Sequence, residues 1–247
     1  MNKLYNELIN YIVELGDSIK DSTAIIKSDN LKDIKLNLDA EINSKIILFL
    51  KKQFSYPILS EEETKQLSFN NYEDKVWIVD PLDGSLNFSR GIPISCISIA
   101  LFNGGKHEFG CIYDFNRKEL FVAEENNCIL NKNKITTSNI KEKSKGILCT
   151  GFPSWRNYEN ESLNIFLHQI KDWKKVRAIG SAALSLAWVA RGWVDAYMEE
   201  DIRIWDVAAG LTLVKAAGGG IFIKENNRTN FVTAIATNGH ISVRELV

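Results

Sequence analysis

The chain has 247 residues, of which 45% are hydrophobic and 25% are charged. This length and apolar content predict a large buried core, as one compact unit or two closely joined lobes, and exclude a disordered chain. The net charge of −1 gives no field that would gather nucleic acid or an anionic membrane. We therefore expect neither as a partner, and we expect any anionic ligand to be small and held locally.

Four cysteines are scattered along the chain without C-x-x-C spacing: Cys96, Cys111, Cys128 and Cys149. Their positions are typical of reduced core residues in a cytoplasmic protein. The N-terminus lacks a basic segment followed by an unbroken apolar stretch, and the apolar run around 92–102 is too short and too polar to span a bilayer. The sequence therefore predicts a cytoplasmic location.

In the first part of the chain, apolar residues at helical spacing over 4–15 predict a helix that ends before Gly16. The polar stretch 27–35 has no apolar period and is interpreted as a loop. Asp39 then stands where an N-cap would begin the next helix. A short strand at 57–59 is predicted to end at an acidic cluster.

The middle of the chain predicts an antiparallel sheet, with Asn103-Gly104-Gly105 as a hairpin turn. Helices and strands alternate afterwards: a strand at 146–149, a helix at 161–173, a strand at 176–179, a helix at 181–190, a strand at 194–198 and a helix at 206–217. This pattern predicts an α/β (α+β) fold. We expect a single domain over 1–247 whose two lobes meet near residues 140–150.

The most informative stretch follows an apolar run at 76–79 that predicts a short buried strand. Its sequence is Asp80-Pro81-Leu82-Asp83-Gly84-Ser85. In a turn of this composition, the two carboxylates and the Leu82 carbonyl can converge as hard oxygen ligands, while the amides of Gly84 and Ser85 face an anion. Oxygen ligands beside an anion site suggest a magnesium-bound phosphate. Taken alone, the stretch also fits an ordinary surface turn.

Three motifs in this order resemble the inositol monophosphatase superfamily: Ser60-Glu61-Glu62, the aspartate turn through Phe88, and Trp205-Asp206-Val207-Ala208-Ala209-Gly210 with Ala217-Gly218-Gly219. The resemblance runs from about residue 5 to the C-terminus. It implies a layered α-β-α-β-α sandwich and a lithium-sensitive, Mg²⁺-dependent phosphatase with two to three Mg²⁺ ions per site. We also expect a homodimer.

The resemblance implies a set of metal ligands: Glu61, Asp80, the Leu82 carbonyl, Asp83 and Asp206. Carboxylates without histidine or cysteine favour Mg²⁺ over Zn²⁺. Asp206 also fits a simple N-cap, and the run Glu61-Glu62-Glu63 also fits a solvated turn. Two metals would explain the number of acids, because one activates water and the other stabilises the leaving alkoxide.

The resemblance implies catalytic roles for four further residues. Glu62 would help to hold the cluster and its water, and the Ser85 hydroxyl and Asp39 would orient that water. A loop lysine belongs to the pattern; Lys27 is the best match, with Lys32 and Lys35 as competitors. The chain departs from the family's usual residues at Ser60 (Gly), Ser85 (Thr) and Leu36-Asn37 (Val-Thr).

The substrate side also follows from the resemblance. The phosphate would lie against Glu61, Leu82, Asp83, Gly84, Ser85 and Asp206. Gly180-Ser181-Ala182 would line the alcohol part, although small residues there also fit close helix packing. Glu199, nineteen residues after Gly180, would accept hydrogen bonds from sugar hydroxyls.

These residues predict Mg²⁺-dependent hydrolysis of a small polyol or sugar phosphate, such as inositol-1-phosphate, without a covalent phosphoenzyme. Three alternatives stay open. The stretch 83–88 and Arg203 resemble members with fructose-1,6-bisphosphatase activity. A 3'(2'),5'-bisphosphate nucleotidase is disfavoured, because its turn usually continues with Lys-Glu-Phe where this chain has Leu86-Asn87-Phe88. The third is a phosphatase-fold binding partner of the transcription machinery.

Overall fold

The computed structural model describes residues 3–19, 26–30, 33–62, 74–152 and 158–246, and within 26–36 it describes the backbone alone. The helices are α1 Lys3–Ile19, α2 Asn37–Gln53, α3 Ser85–Ser89, α4 Asn160–Ile170, α5 Ala182–Arg191 and α6 Ile204–Ala216. The strands are β1 Ile26–Asn30, β2 Asp33–Leu36, β3 Ile58–Ser60, β4 Lys75–Asp83, β5 Cys96–Asn103, β6 Lys106–Asp114, β7 Glu119–Glu124, β8 Asn127–Leu130, β9 Asn133–Lys134, β10 Ile147–Thr150, β11 Lys175–Arg177, β12 Ala196–Arg203, β13 Gly220–Glu225 and β14 Phe231–Thr237.

Two large sheets contain all the described strands except β1 and β2, which pair with each other. The first has seven strands in the order β3-β4-β5-β6-β7-β8-β9, with only β3 and β4 parallel. The second has five strands in the order β11-β10-β12-β14-β13, and β10 is parallel to both of its neighbours. The chain passes from the first sheet to the second between residues 134 and 147. The division into two lobes near 140–150 stays a prediction.

The layers follow from which face of each element is apolar. Helices α1 and α2 cover one face of the seven-stranded sheet, around Leu8, Ile46 and Trp77. Helices α5 and α6 lie between the two sheets and are apolar nearly all round, as expected for buried helices. Helix α4 packs on the outer face of the second sheet through Phe166. The fold is the predicted α-β-α-β-α sandwich.

Several local predictions are confirmed. The hairpin between β5 and β6 turns at Gly104 and Gly105, with φ of 52° and 74°. A two-residue hairpin turn with positive φ at both positions matches the twist of the strands, and glycine adopts it without strain. All four cysteines are buried free thiols, as predicted. Within the described ranges, none of the helices has the length and apolar character that crossing a bilayer requires.

Three local predictions are wrong. The stretch 27–35 is not a loop, because β1 and β2 pair antiparallel from Ile26 and Leu36 inward. A two-stranded ribbon is held by backbone hydrogen bonds, which leave no apolar period in the sequence. Helix α1 does not end before Gly16; a Cβ there would lie 2.5 Å from the Tyr113 ring, so this glycine permits close packing.

The third wrong prediction concerns the two helix-starting aspartates. Helix α2 begins at Asn37 and α6 at Ile204, so Asp39 and Asp206 are each the third residue of a helix and not its N-cap. In both cases the two residues before the aspartate already have helical geometry. A carboxylate in a first helical turn is still favoured by the helix dipole.

Candidate active site

The segment predicted to be an aspartate turn is the end of a strand. Strand β4 continues through Pro81 to Asp83, and its pairing with β5 shifts register between Asp80 and Asp83. Such a bulge adds a residue on one strand and bends it. The Leu82 amide donates a 3.0 Å hydrogen bond to Asp80 Oδ1, which fixes this carboxylate against its own backbone.

Gly84 is required at the point where β4 passes into α3. It has a φ of 85°, and a Cβ there would lie 2.6 Å from the Ile94 carbonyl oxygen. The hydroxyl of Ser85 donates a 2.9 Å hydrogen bond to the Leu82 carbonyl oxygen. Two of the predicted site groups, the Leu82 carbonyl and the Ser85 hydroxyl, are therefore in direct contact.

Glu61 lies beside Asp80 because β3 runs parallel to β4. Its amide donates a 3.2 Å hydrogen bond to the Val79 carbonyl oxygen, which continues the pairing of the two strands. The preceding Ser60 is buried in extended backbone, and its hydroxyl donates to Asn43 Oδ1 at 2.5 Å. Serine at this position is thus accommodated by a polar partner on α2.

The candidate carboxylate ligands lie close enough to shift one another's pKa, and we call them the acidic cluster. Burial raises the pKa of Asp80 well above its usual range, and the negative charges of Glu61, Asp83 and Asp206 raise it further. Burial also raises the pKa of Asp206, with contributions from Glu61, Asp83 and Glu199, while the Arg203 guanidinium lowers it. Carboxylates that perturb one another in this way favour a bound cation.

Asp83 connects this cluster to the second half of the chain. Its Oδ2 atom accepts hydrogen bonds from the Ser181 hydroxyl, from the Ala183 amide at 2.9 Å and from Cys96 Sγ at 3.8 Å. Burial raises the pKa of Asp83 to about 6, and these hydrogen bonds oppose the rise. Ser181 is also the N-cap of α5, where its hydroxyl oxygen accepts from the Leu184 amide at 3.2 Å.

A cavity of about 240 Å³ lies between the acidic cluster and α5. Its described lining residues are Asp83, Thr150, Gly151, Phe152, Gly180, Ser181, Ala182, Ser185, Glu199, Ile202 and Asp206. The cavity thus brings together six of the predicted site residues from three distant segments. Glu61, Leu82, Gly84 and Ser85 are predicted phosphate contacts that do not belong to this lining set among the described residues.

Glu199 is buried in the wall of this cavity, with 7% of its surface exposed. The Tyr197 hydroxyl donates a 2.8 Å hydrogen bond to its Oε2 atom, and burial raises the pKa of Tyr197, so the phenol keeps its proton. A Cβ on Gly151 would lie 2.2 Å from the same oxygen, so only glycine leaves room for this carboxylate.

The remaining predicted residues are Asp39, Glu62 and the loop lysine. The first two are not among the described residues that line the cavity. Asp39 is buried in α2, and Glu62 is half-buried next to Glu61. The side chains of Lys27 and Lys35 lie outside the described part of the structure, as do Glu63 and Lys32 entirely. The choice among the three lysines stays a prediction.

Sequence reasoning missed five lining residues: Thr150, Gly151, Phe152, Ser185 and Ile202. One signal was available for the first three. They stand at the carboxyl end of β10, which is parallel to both neighbours, and ligands bind outside the carboxyl ends of parallel strands. Ile202 reaches the cavity because the pairing of β12 with β14 is irregular after Glu199. No pattern in the sequence predicts this irregularity.

The donor groups fit Mg²⁺. The cluster offers carboxylate and carbonyl oxygens, and the nearby Cys96 stays a neutral thiol because burial raises its pKa well above the usual value. Among the described residues, no three Asp, Glu, His or Cys side chains already stand as a closed metal-binding group. Because like charges repel, we expect the carboxylates to draw together only around a cation.

The fold and the acidic cavity define a family. A model of the inositol monophosphatase family matches residues 10–241, and the chain belongs to this family. Nus factor SuhB of Xylella fastidiosa is 40% identical over 190 residues, which are 76% of this chain and 68% of that protein.

Two solved structures are similar over nearly the whole chain. The extragenic suppressor protein suhB from Bartonella henselae has a TM-score of 0.83 and 30% identity, covering 97% of this chain and 95% of that one. The inositol monophosphatase from Anabaena has a TM-score of 0.78 and 28% identity, covering 98% and 92%. Family membership supports a phosphatase fold with a divalent-metal site.

The relatives correct one expectation. Nucleic acid was excluded as a partner on the ground of net charge, and this exclusion is wrong because similar proteins carry the name Nus factor. The net charge sets the average field around a protein, but it does not limit what a local surface binds.

Proposed function

We propose that this chain hydrolyses small polyol or sugar phosphate monoesters, such as inositol-1-phosphate, in a Mg²⁺-dependent reaction. One observation carries the proposal: the cavity joins two candidate metal ligands, Asp83 and Asp206, to a hydroxyl-accepting carboxylate, Glu199. A phosphate ester of a polyol needs both kinds of group, one at each end. We place the reaction in the cytoplasm, where the buried thiols stay reduced.

Two to three Mg²⁺ ions would be held by Glu61, Asp80, the Leu82 carbonyl, Asp83 and Asp206. When bound, the metal supplies Lewis-acid activation of water and stabilisation of the leaving oxygen.

Residues around the turn hold the phosphoryl group and the attacking water. The Gly84 and Ser85 amides would donate to phosphoryl oxygens, as fixed donors do in phosphoryl transfer. The Ser85 hydroxyl, with Asp39, would orient the water; its hydrogen bond to the Leu82 carbonyl keeps it beside the acidic cluster. Glu62 and the loop lysine, Lys27, would complete this set.

The alcohol portion lies at the other end of the cavity. The Gly180-Ser181-Ala182 segment forms the cavity wall at that end. Glu199 accepts hydrogen bonds from the hydroxyls of the substrate's alcohol portion. The Tyr197 hydroxyl fixes the orientation of the Glu199 carboxylate. At about 240 Å³ the cavity is smaller than the roughly 300–1,000 Å³ typical of sites for drug-sized ligands, so it suits a small alcohol.

The test is a panel of phosphate esters assayed for phosphate release with Mg²⁺, after chelation, and with added Li⁺. We expect hydrolysis of inositol-1-phosphate or a hexose phosphate that vanishes with chelator, returns with Mg²⁺ and falls with Li⁺. Ser85→Ala should lower kcat by about 10²-fold, because its hydroxyl orients the water. Full activity after exhaustive chelation would refute the metal-dependent mechanism.

A second candidate role is that of a regulatory binding partner of the transcription machinery. The observation that favours it is the name Nus factor SuhB on relatives that are 33–40% identical. A pull-down of purified transcription complexes with the wild-type chain and with Asp206→Asn separates the two roles. If binding is equal for both and phosphatase activity is lost in the variant, the roles are independent.

A further inference from the structure

Asn87 joins the two halves of the proposed site. It lies in the short helix α3, directly after the phosphate-side residues, and it is 9% exposed. Its side-chain Nδ2 atom lies within hydrogen-bonding distance of three backbone carbonyl oxygens: Ile94 at 2.9 Å, Ile179 at 2.8 Å and Gly180 at 3.2 Å. The last two belong to the segment that leads into α5, more than ninety residues further along the chain.

The partner segment is shaped around this amide. Gly180 has a φ of 73°, and a Cβ there would lie 3.0 Å from Asn87 Nδ2 and 3.1 Å from Asn87 Oδ1. Asn87 and Gly180 therefore fit each other both sterically and through hydrogen bonds. A side chain that contacts carbonyls on both sides of an interface fixes the distance between them.

Asp83 makes the neighbouring connection, through Ser181 and Ala183. That carboxylate is also a candidate metal ligand, so a bound cation would partly set its position. Asn87 has no such second task. It is a neutral amide whose contacts within the described residues are with the backbone on either side of the interface.

We propose that Asn87 is a positioning residue that sets the distance between the phosphate-holding segment 80–85 and the alcohol-lining segment 179–183. The proposal deepens the proposed function and rests on it for its kinetic consequences. A substrate that touches both segments depends on this distance, since a misplacement of about 1 Å can cost about 10²-fold in rate. A substrate that touches only the phosphate side does not.

The experiment compares Asn87→Asp and Asn87→Ala with Ser89→Ala. Aspartate keeps the shape of asparagine but removes both amide donors. Ser89 is the matched control, because its hydroxyl bonds to Leu86 within the same helix and does not reach the second segment. The substrates are inositol-1-phosphate, whose ring would reach the alcohol-lining segment, and methyl phosphate, which has almost no alcohol portion.

For both Asn87 variants we expect kcat/KM for inositol-1-phosphate to fall by at least about tenfold, chiefly through KM. The kcat/KM of these variants for methyl phosphate should stay within about threefold of the wild-type value. Ser89→Ala should resemble the wild type with both substrates. In a double-mutant cycle, Gly180→Ala should do less damage in the Asn87→Ala background, because the amide it crowds is gone. Equal losses on both substrates, or additive effects in the cycle, would overturn the proposal.

A readout without turnover separates this proposal from the phosphatase activity. Hydrogen exchange at the amides of residues 180–184 should speed up in Asn87→Ala relative to Ser89→Ala, while core strands such as β5 keep their protection. Unchanged exchange at 180–184 overturns the positioning role whether or not the chain is a phosphatase. If exchange responds but neither substrate is hydrolysed by the wild type, the proposed function fails and the positioning role stands.

Discussion

The Ala183 amide and Asp83 Oδ2 are joined by a hydrogen bond of 2.9 Å, although 100 residues separate them in the sequence. The same oxygen accepts from Ser181, the N-cap of α5. A carboxylate at this place accepts hydrogen bonds from backbone amides that have no acceptor within the helix, and it interacts favourably with the helix dipole. Asp83 is therefore a structural residue of α5 as well as a candidate metal ligand.

The first prediction concerns this junction. Ser181→Ala removes the α5 cap and a hydrogen bond to Asp83, so we expect the free energy of unfolding in chelator to fall by about 2 kcal/mol. Ser181→Gly should cost less, because glycine is a tolerated N-cap, and the difference between the two variants measures the cap. Denaturant unfolding provides the measurement. An equal loss for both would mean that the bond to Asp83, and not the cap, matters.

The second prediction separates a catalytic from a structural Asp206. Asp206→Asn keeps the size of the side chain but removes one charge from a cluster whose members raise one another's pKa. We expect kcat to fall by at least about 10²-fold and the melting temperature in chelator to rise, because repulsion is relieved. Mg²⁺ should then stabilise the variant less than the wild type.

Asn43→Ala is a suitable comparison for the Asp206 experiment. It removes the partner of Ser60 on α2 and leaves the carboxylates in place. Its melting temperature should fall, while the gain in stability on adding Mg²⁺ persists. A normal kcat in Asp206→Asn, together with a lower melting temperature, would show that Asp206 serves the helix alone.

Part of the candidate site could be predicted from the sequence, because several of its residues lie in short linear motifs. The acids from Glu61 to Asp83 stand within short segments whose composition predicts strand ends, and Gly104-Gly105 predicts its own turn. What these segments touch was harder to predict. The contacts of Asn87 with Gly180, and of Glu199 with Gly151, depend on how the two sheets are stacked.

The predicted starts of the helices at Asp39 and Asp206 were wrong for a related reason. An aspartate before an apolar run predicts a cap at Asp206, but the apolar pair Ile204-Trp205 is buried and starts the helix earlier. Tertiary packing thus decides where this helix begins. The local propensity of one residue carries no information about that packing.

The third prediction concerns His107, a half-buried histidine without any proposed role in the site. Burial lowers its pKa to about 4, with a smaller effect from Lys215, and its ring Nδ1 lies 2.9 Å from Thr212 Oγ1. Its folded-state pKa lies below the unfolded value of about 6.5. The neutral ring therefore contributes stability that is present above pH 6.5 and is lost as the pH falls towards 4.

The size of this loss is about 3 kcal/mol across that interval, since each pKa unit corresponds to about 1.4 kcal/mol. The measurement is the free energy of unfolding from pH 7 to pH 4 for the wild type and His107→Gln, which does not titrate. The exposed His240→Gln serves as control and should keep the wild-type dependence. Identical pH profiles for the wild type and His107→Gln would show that His107 is protonated without cost.

The fourth prediction decides between monophosphate and bisphosphate substrates, and it turns on Arg203. An arginine three residues before Asp206 can have two fates: contact with the second phosphate of a bisphosphate, or a solvent-facing salt bridge. In the structure its Cζ lies 3.7 Å from the centre of the Phe231 ring and 5.2 Å from that of Trp205. Arg228 Cζ also lies 3.7 Å from the centre of the Phe231 ring, and two groups at that distance must occupy opposite faces.

Arg203 is therefore held by an aromatic ring, and its charge acts on Asp206, whose pKa it lowers. The negative charge of Glu199 in the cavity wall would repel a second phosphate. We expect kcat/KM for inositol-1-phosphate or a hexose monophosphate to exceed that for fructose-1,6-bisphosphate. Arg203→Ala should lower both values together and cost about 0.5–2 kcal/mol of stability through the lost stacking.

Arg228→Ala is the control for this experiment. It removes an equally close contact with the Phe231 ring. Because Arg228 is more distant in sequence from Asp206, we expect the activity of this variant to change less. If the bisphosphate is the better substrate and Arg203→Ala alone abolishes that preference, Arg203 binds the second phosphate and the bisphosphatase alternative is correct.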